Sequence, residues 1–437
     1  MVMRRTVIMW FRRDLRLADL PALHAAAADG VHVVPLFVVD PAFARAGAPR
    51  RAFMAAALAS LDDSMDRALV YRHGAPEVVV PALAKEVGAT AVYVTRDHGP
   101  YGRRRDALVA EALRSIDVRL AGVGAAYAVE PGRVTKGDGT PYRVFTPFSK
   151  AWRAHGWDAP LGPADVQWRG APDVHCDGPP PTPPCEAELP PASEAAAHDR
   201  WHEYLPEAHQ YADRRDLPAV DGTSRLSAAL RWGLVHPRQL LADLGPERGH
   251  EVFASELAWR DFYADVLFRA PQSAWENLDM KMDAMLVDTD AAAKERFARW
   301  TAGQTGFPIV DAGMRQLLAT GWMHNRVRML VASFLVKDLH LPWQWGARHF
   351  MQHLVDGDLA SNQHGWQWAA GTGTDAAPYF RVFNPTAQAE RFDPDGAYRA
   401  RWVPEQGTAA YPAPMVDHAA EREEALRRYR LVTAGSR

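Results

Sequence analysis

Between Asp158 and Ala192 the chain is dominated by proline and glycine, with Pro179-Pro-Pro-Thr-Pro-Pro184 at the centre. Each proline fixes φ at about −65° and removes a backbone donor, so the stretch favours extended polyproline II and opposes helix. It is expected to be a linker dividing the 437 residues into two blocks of different periodicity. Ahead of it, short β-branched runs at 6–10, 31–39 and 91–95 alternate with alanine-rich helical patterns at 21–28, 51–69, 76–87 and 103–114. That alternation predicts buried parallel strands in a doubly wound, Rossmann-like α/β sheet. Behind it a helical region runs from about 193 to 430, with N-cap signals at Thr223/Ser224, Ser255 and Ser273 and breaks at Gly222, Gly233, Gly245 and Gly303. The expected division is 1–130 for the α/β domain, 131–200 for the linker and 201–437 for an all-helical domain.

A hydrophobic content of 48% is enough to bury the cores of two or three such domains. Only Cys176 and Cys185 occur, both in the proline-rich stretch, so neither a disulfide framework nor a Cys-ligated metal site is expected. This cysteine usage fits a reducing cytoplasm. The N-terminus lacks the apolar segment of a secretory signal, and no stretch approaches the ~18 uncharged apolar residues of a membrane span. A net charge of −3 argues against nonspecific polycation behaviour, but local charge differs. From Ala312 to His349, Arg315, Arg326, Arg328, Lys337 and Arg348 face only Asp338, and 223–239 adds Arg225, Arg231 and Arg238 with no acid. A solvated helix face is the commoner cause of such a bias. The aromatic and amide residues in the same segments favour a phosphate-facing surface instead. Ten of the fifteen Trp residues fall between 232 and 402, yet Trp more often fills a core than a cofactor site, so function must be read from the polar neighbours.

Thr223-Ser-Arg-Leu-Ser227 offers hydroxyls, a guanidinium and backbone N–H groups at a helix start, a donor set suited to pyrophosphate, although alone it reads as an N-cap. Asn325, Arg328 and Met329 share one face through their i, i+3 and i+4 spacing. Asp356-Gly-Asp358 reads as a turn, and alone would suggest a cap or a metal site. Phe253, Glu256, Trp259 and Arg260 share another helical face, where a Glu–Arg pair would ordinarily be a surface ion pair worth at most ~1 kcal/mol. The α/β block has no GxGxxG fingerprint and is not read as the dinucleotide site.

Longer runs narrow these readings. Trp10-Phe-Arg-Arg-Asp-Leu-Arg-Leu17, the Thr223–Ser227 loop, Gly321-Trp-Met-His-Asn-Arg-Val-Arg-Met329, Asp356-Gly-Asp-Leu-Ala-Ser-Asn-Gln-His-Gly-Trp-Gln-Trp-Ala-Ala-Gly-Thr-Gly-Thr-Asp375 and Ala376-Ala-Pro-Tyr-Phe-Arg-Val-Phe-Asn-Pro385 resemble the DNA photolyase and cryptochrome family, most of all its class I cyclobutane pyrimidine dimer branch. The resemblance spans nearly the whole chain. It implies an antenna-type α/β domain and a helical domain that binds FAD and DNA. It assigns FAD contacts to Tyr211, Thr223, Ser224, Arg225, Leu226, Ser227, Phe253, Asn325, Arg328, Asp356, Asp358 and Asn362. Asn362 would sit near the ring nitrogen N5, where an amide adjusts to either protonation state. Glu256, Asn325, Met329 and Asn362 form the implied catalytic set, and Glu256, Trp259, Arg326, Met329 and Trp368 the DNA-contacting set. His324 is expected to be structural.

The implied reaction is light-dependent repair of cyclobutane pyrimidine dimers, by electron transfer from photoexcited reduced FAD to a dimer flipped out of the duplex, as photolyases and other base-flipping enzymes do. The expected form is a monomer acting on dimer-containing DNA. The alternative is a cryptochrome-type blue-light photoreceptor signalling through a protein partner. Glu256, Trp259, Asn325 and Met329, with a C-terminus that stops soon after the charged 419–429 segment, favour repair.

Two departures from the family pattern bear on function. Trp366 and Trp343 match the inner members of an electron-transfer chain, but the outer Trp falls in Val287-Asp-Thr-Asp-Ala-Ala-Ala293. Either Trp345 or Trp300 ends the path, or light-driven reduction is impaired. Gly99 stands where folate-binding members carry an acid, and Leu20 replaces a frequent Asn, so a second chromophore is expected to be a deazaflavin rather than a folate, or the site holds none.

Overall fold

A computed structural model describes residues 5–30, 32–171, 173–375 and 381–434; the quoted run 376–380 lies outside the described residues. Strands β1 (Thr6–Phe11), β2 (His32–Val39), β3 (Val70–His73), β4 (Ala89–Arg96) and β5 (Arg119–Ala125) form one parallel sheet in the order β3-β2-β1-β4-β5. All six residues of β1 are buried, which is why its sequence is continuously apolar and not alternating. On one face Ile8, Trp10, Val34 and Leu36 pack with Val80, Leu83, Val109 and Leu113 of the helices Pro76–Val87 and Pro100–Arg114. On the other, Val7, Met9 and Phe11 meet Leu23, Phe53 and Leu58, and the same core runs on to Trp201, Phe253 and Phe262 of the helical half. The sheet therefore shares its second face with the domain that follows.

The expected helix at 51–69 is in fact Ala48–Asp63. Asp66 and Arg67 then take positive φ (52° and 61°) in the turn that delivers the chain to β3. The segment 131–200 is more than a tether. It contains the helix Phe145–His155, which lies along Arg248–Arg269: the Phe148 and Phe262 rings are 5.0 Å apart and Trp152 Nε1 donates to Asp261 Oδ2 at 2.9 Å.

The helical half is built around Arg248–Arg269, Asn325–Ser333, Trp343–His353 and Leu359–Ala370. The expected serine and threonine caps are corrected. The helix after Thr223/Ser224 starts only at Ser227, behind Leu226, without a side-chain cap. Ser255 lies inside Arg248–Arg269 and donates to Glu251 O at 2.9 Å, while Ser273 lies in the 3-10 turn Pro271–Ala274 and donates to Ala270 O at 2.6 Å. Such back-bonding satisfies a hydroxyl without starting a helix. Gly233 does end a helix, at φ +68°, and a Cβ there would stand 2.2 Å from Arg13 O, so glycine answers both backbone conformation and domain contact. No helix among the described residues is long and apolar enough to cross a membrane.

Candidate active site

His324 caps the helix Asn325–Ser333: its Nδ1 accepts from Arg326 N at 3.2 Å. Burial pushes its pKa down to about 4, so at neutral pH the ring is an uncharged acceptor, as a structural role requires. One turn on, Arg328 reaches both oxygens of Asp356 (2.8 and 3.3 Å) and donates Nε–H to Met323 O at 2.8 Å. Asn325 is exposed, and its amide lies 3.9 Å from Met329 Sδ. The expected helical trio therefore exists, with its basic member committed to the Asp356 turn. Arg326, expected to contact DNA, pairs with Asp216 at 2.8 Å and lies 4.4 Å over the Phe392 ring.

The two aspartates of that turn serve different partners. Asp358 caps Leu359–Ala370 by accepting from Ser361 N at 3.1 Å. It is reached by Arg13 from the α/β domain (3.3 Å) and by Arg231 (3.9 Å). Burial pushes the Asp358 carboxyl up, but Arg231 and Arg13 outweigh it and hold the group below the ordinary range. Each carboxylate already has a guanidinium partner. Along the helix they start, Asn362 donates to Gln363 Oε1 (2.7 Å) and Ala347 O (3.1 Å). Trp366 follows, buried against Phe350 and Trp300 at 5.0 and 6.1 Å, and Trp343 Nε1 donates to Asn277 Oδ1 at 2.8 Å. Trp368 is half-buried.

On Arg248–Arg269 the expected Glu256–Arg260 pair does not form. Arg260 donates to Ala126 O (2.7 Å) and Leu230 O (3.2 Å), while Glu256 takes Arg215, 41 positions away in sequence. Burial pushes the Glu256 carboxyl up and Arg215 offsets part of that. Phe253 sits deep in the core, 5.3 Å from the Trp201 and Tyr211 rings. Trp259 is stacked face to face on Phe145, with centroids 3.7 Å apart and 9° between planes.

Arg200 donates to the carbonyls of Thr223 and Ser224 (3.0 Å each) and so fixes the loop 223–227, where Arg225 takes φ +55° and turns outward to Asp221 at 2.8 Å. Ser224 Oγ accepts from Leu226 N at 3.4 Å, and Leu226 is buried. Ser227 Oγ and, one turn later, Arg231 Nη1 are buried with no hydrogen-bond partner among the described residues. Burial and then the neighbouring Arg13 pull Arg231 down to about 9. Two unsatisfied donors on one helical turn are what the pyrophosphate of a dinucleotide needs, so the residues present fit FAD.

Residues 253–409 match the family model described as the FAD binding domain of DNA photolyase, and residues 7–165 the one described as DNA photolyase. The chain is 37% identical over 476 residues to the deoxyribodipyrimidine photo-lyase of Vibrio cholerae, covering 97% of this chain and 99% of that one. This chain belongs to the DNA photolyase/cryptochrome family. Among solved structures it is similar to a bacterial class III photolyase from Agrobacterium tumefaciens (TM-score 0.91, 34% identity, 99% of both chains) and to a cryptochrome from Synechocystis (TM-score 0.89, 26% identity, 97% of this chain and 99% of that one). As a photolyase the chain is an enzyme, and its helical half carries the FAD-binding domain.

Inside this photolyase the basic bias read from sequence is largely neutralised. Arg238 closes on Asp19 (2.6 Å), Arg315 on Glu405 (2.6 Å), Arg326 on Asp216 (2.8 Å) and Arg328 on Asp356 (2.8 Å). The partners lie far off in sequence, so a local count of charges missed them. Arg215, Arg13 and Phe145 also escaped the sequence reading, and Arg231 entered it only as part of the basic bias. Of the first three, Arg13 alone carried a signal, through its place in the Trp10–Leu17 run.

Proposed function

We propose that this photolyase repairs cyclobutane pyrimidine dimers in DNA under light. The observation that carries the reading is an ion network: Glu256 pairs with Arg215, Arg215 Nε lies 3.9 Å from Asp216, and Asp216 pairs with Arg326 at 2.8 Å. It ties the helix bearing Glu256 and Trp259 to the helix bearing Asn325 and Met329, so the four side chains expected at the lesion are held as one unit. Bound and reduced, FAD supplies a single electron when it absorbs blue light. The chain's own residues bind and orient. Ser227 and Arg231 take the phosphates, with Tyr211, Thr223, Ser224, Arg225, Leu226 and Phe253 shaping that end. Arg328, Asp356, Asp358 and Asn362 set the ring end. Glu256, its carboxylate held by Arg215, hydrogen-bonds a pyrimidine edge. Trp259, Met329, Trp368 and Asn325 wall the pocket into which the lesion is extruded.

Replenishing electrons follows an aromatic path from Trp366 to Trp300 (6.1 Å), Phe297 (5.8 Å) and Trp345 (5.4 Å). Trp300 is fully buried, so half-buried Trp345 is the surface end of this path, and Trp343 is the other candidate intermediate. A cavity of about 440 Å³ lies between the domains, walled by Trp10, Phe43, Tyr101 and Trp232, covered by Pro180 and Pro181, and reached at one side by Arg231. Its aromatic walls suit a planar antenna such as a deazaflavin. The enzyme works as a monomer in the cytoplasm. The likeness to a cryptochrome structure supports a second reading, a blue-light receptor acting on a protein partner. The test is to illuminate the reduced protein with a thymine-dimer oligonucleotide and quantify restored thymines. Restoration supports repair, and bound flavin without restoration supports the receptor.

A further inference from the structure

We infer that Phe145 is a positioning residue for lesion capture: it covers one face of Trp259, fixes the indole plane and leaves a single face for a nucleobase. The inference rests on the repair reading for what the open face receives. It stands on geometry that no sequence motif displayed. The two rings lie 3.7 Å apart and within 9° of parallel, a full stack and not an edge contact. Phe262 meets Trp259 edge-on at 5.7 Å, and Tyr263 lies tilted at 5.2 Å. Two aromatic neighbours beside the indole and one flat against its face leave it little freedom to rotate, yet Trp259 remains only half-buried, and with Phe145 on one face we assign the opposite face to the ligand.

Phe145 can impose a plane because it is itself held from two sides. Its backbone N–H donates to Asp375 Oδ2 at 3.2 Å, and Thr374 Oγ1 donates to Arg143 O at 2.5 Å. These bonds staple it to the loop that follows the helix carrying Asn362, Trp366 and Trp368. Further along Phe145–His155, Trp152 donates to Asp261 and Arg153 donates to Glu251 O (3.0 Å) and Ser255 Oγ (3.1 Å), fastening the helix to Arg248–Arg269. The segment between the domains thus sets the attitude of a wall in the helical domain. An indole kept flat has less conformational freedom to lose when a base stacks on it, and that saving appears as affinity for an unpaired, extruded base.

The experiment compares wild type with Phe145→Leu and Phe145→Tyr, all loaded with FAD and kept in the dark. Dissociation constants are measured for a duplex with one thymine dimer and for its undamaged counterpart, and kcat and KM for repair are measured under light. Phe145→Leu is expected to weaken dimer binding about tenfold, with undamaged duplex within about twofold, KM raised and kcat near wild type. Phe145→Tyr restores the wild-type values. In the DNA-free protein, the 5-fluorotryptophan resonance of Trp259, assigned by its loss in Trp259→Phe, is expected to be one narrow line that broadens or splits in Phe145→Leu. Should Phe145→Leu not fold, Phe145→Met keeps the volume without the flat ring and carries the same expectations. Unchanged dimer selectivity in Phe145→Leu, equal weakening toward both duplexes, or an unchanged fluorine line overturns the inference. A wild type that does not prefer dimer DNA overturns the repair reading, and with it the role of the open face.

Discussion

Gly346→Ala sets two physical effects against each other inside the aromatic core. Gly346 lies in the helix Trp343–His353, where replacing glycine by alanine would normally stabilise by roughly 1 kcal/mol. A Cβ at this position would, however, stand 2.1, 2.5 and 2.6 Å from three atoms of the Trp366 ring. Carbon atoms pack at about 3.5–4.0 Å, so the ring must retreat by more than an ångström. It has nowhere to go: Trp366 is 2% exposed, with Phe350 edge-on at 5.0 Å and Trp300 behind it at 6.1 Å. Overpacking of this kind costs about 1–3 kcal/mol, and with a displacement this large the upper part of that range applies. The net expectation is a loss of about 1–2 kcal/mol despite the better helix former. Denaturant unfolding of wild type and variant at equal FAD loading reads the difference directly. The same variant should reduce flavin more slowly under light, because the displaced ring is the inner member of the aromatic path. A variant more stable than wild type by about 1 kcal/mol would refute the claim that Trp366 is immobile in this contact.

Acid should destabilise the protein steeply. Burial holds His324 and His364 down to about 4 and His236 well below its ordinary value, so all three are neutral when folded and take up protons when unfolded below about pH 6.5. Their contribution is fully present above that pH and is lost as pH falls toward 4. Each adds up to about 1.4 kcal/mol per pH unit, and an unfolding free energy flat from pH 7 to 4.5 would contradict the assignment. Glu256→Ala is expected to lower repair yield several-fold while leaving flavin absorbance intact; release of flavin would place Glu256 in the cofactor site instead. Trp366→Phe should suppress light-driven flavin reduction, and Trp345→Phe and Trp343→Phe should each slow it. Equal rates in all three would mean that electrons enter elsewhere.

The parts of the fold legible in sequence were those whose chemistry is local. β1, β2 and β4 are inner strands covered on both faces, so their β-branched runs stand out, and the helix Pro76–Val87 falls where its pattern predicted. β3 and β5 are edge strands made of Val-Tyr-Arg-His and Arg-Leu-Ala-Gly-Val-Gly-Ala, which carry neither signal. The one-helix grouping of Asn325, Arg328 and Met329 was visible because i, i+3 and i+4 are fixed by helix geometry. Charge partners were not. Arg260 stood four positions from Glu256 and was the natural candidate, yet Arg215 takes the carboxylate, because long-range packing and not spacing decides which guanidinium arrives. The serine caps failed for a related reason: Ser255 finds a carbonyl one turn back, which a sequence cannot distinguish from an N-cap. The stack of Phe145 on Trp259 joins segments 114 positions apart and had no local trace.

The most direct test is an action spectrum: restored thymines per incident photon, measured across the near-ultraviolet and blue on the purified, reduced protein loaded with FAD as its sole chromophore. The curve is expected to follow the absorption of the bound reduced flavin, with no restoration in the dark. Repair that ignores that absorption, or no repair at wavelengths the flavin absorbs, would contradict flavin-driven repair.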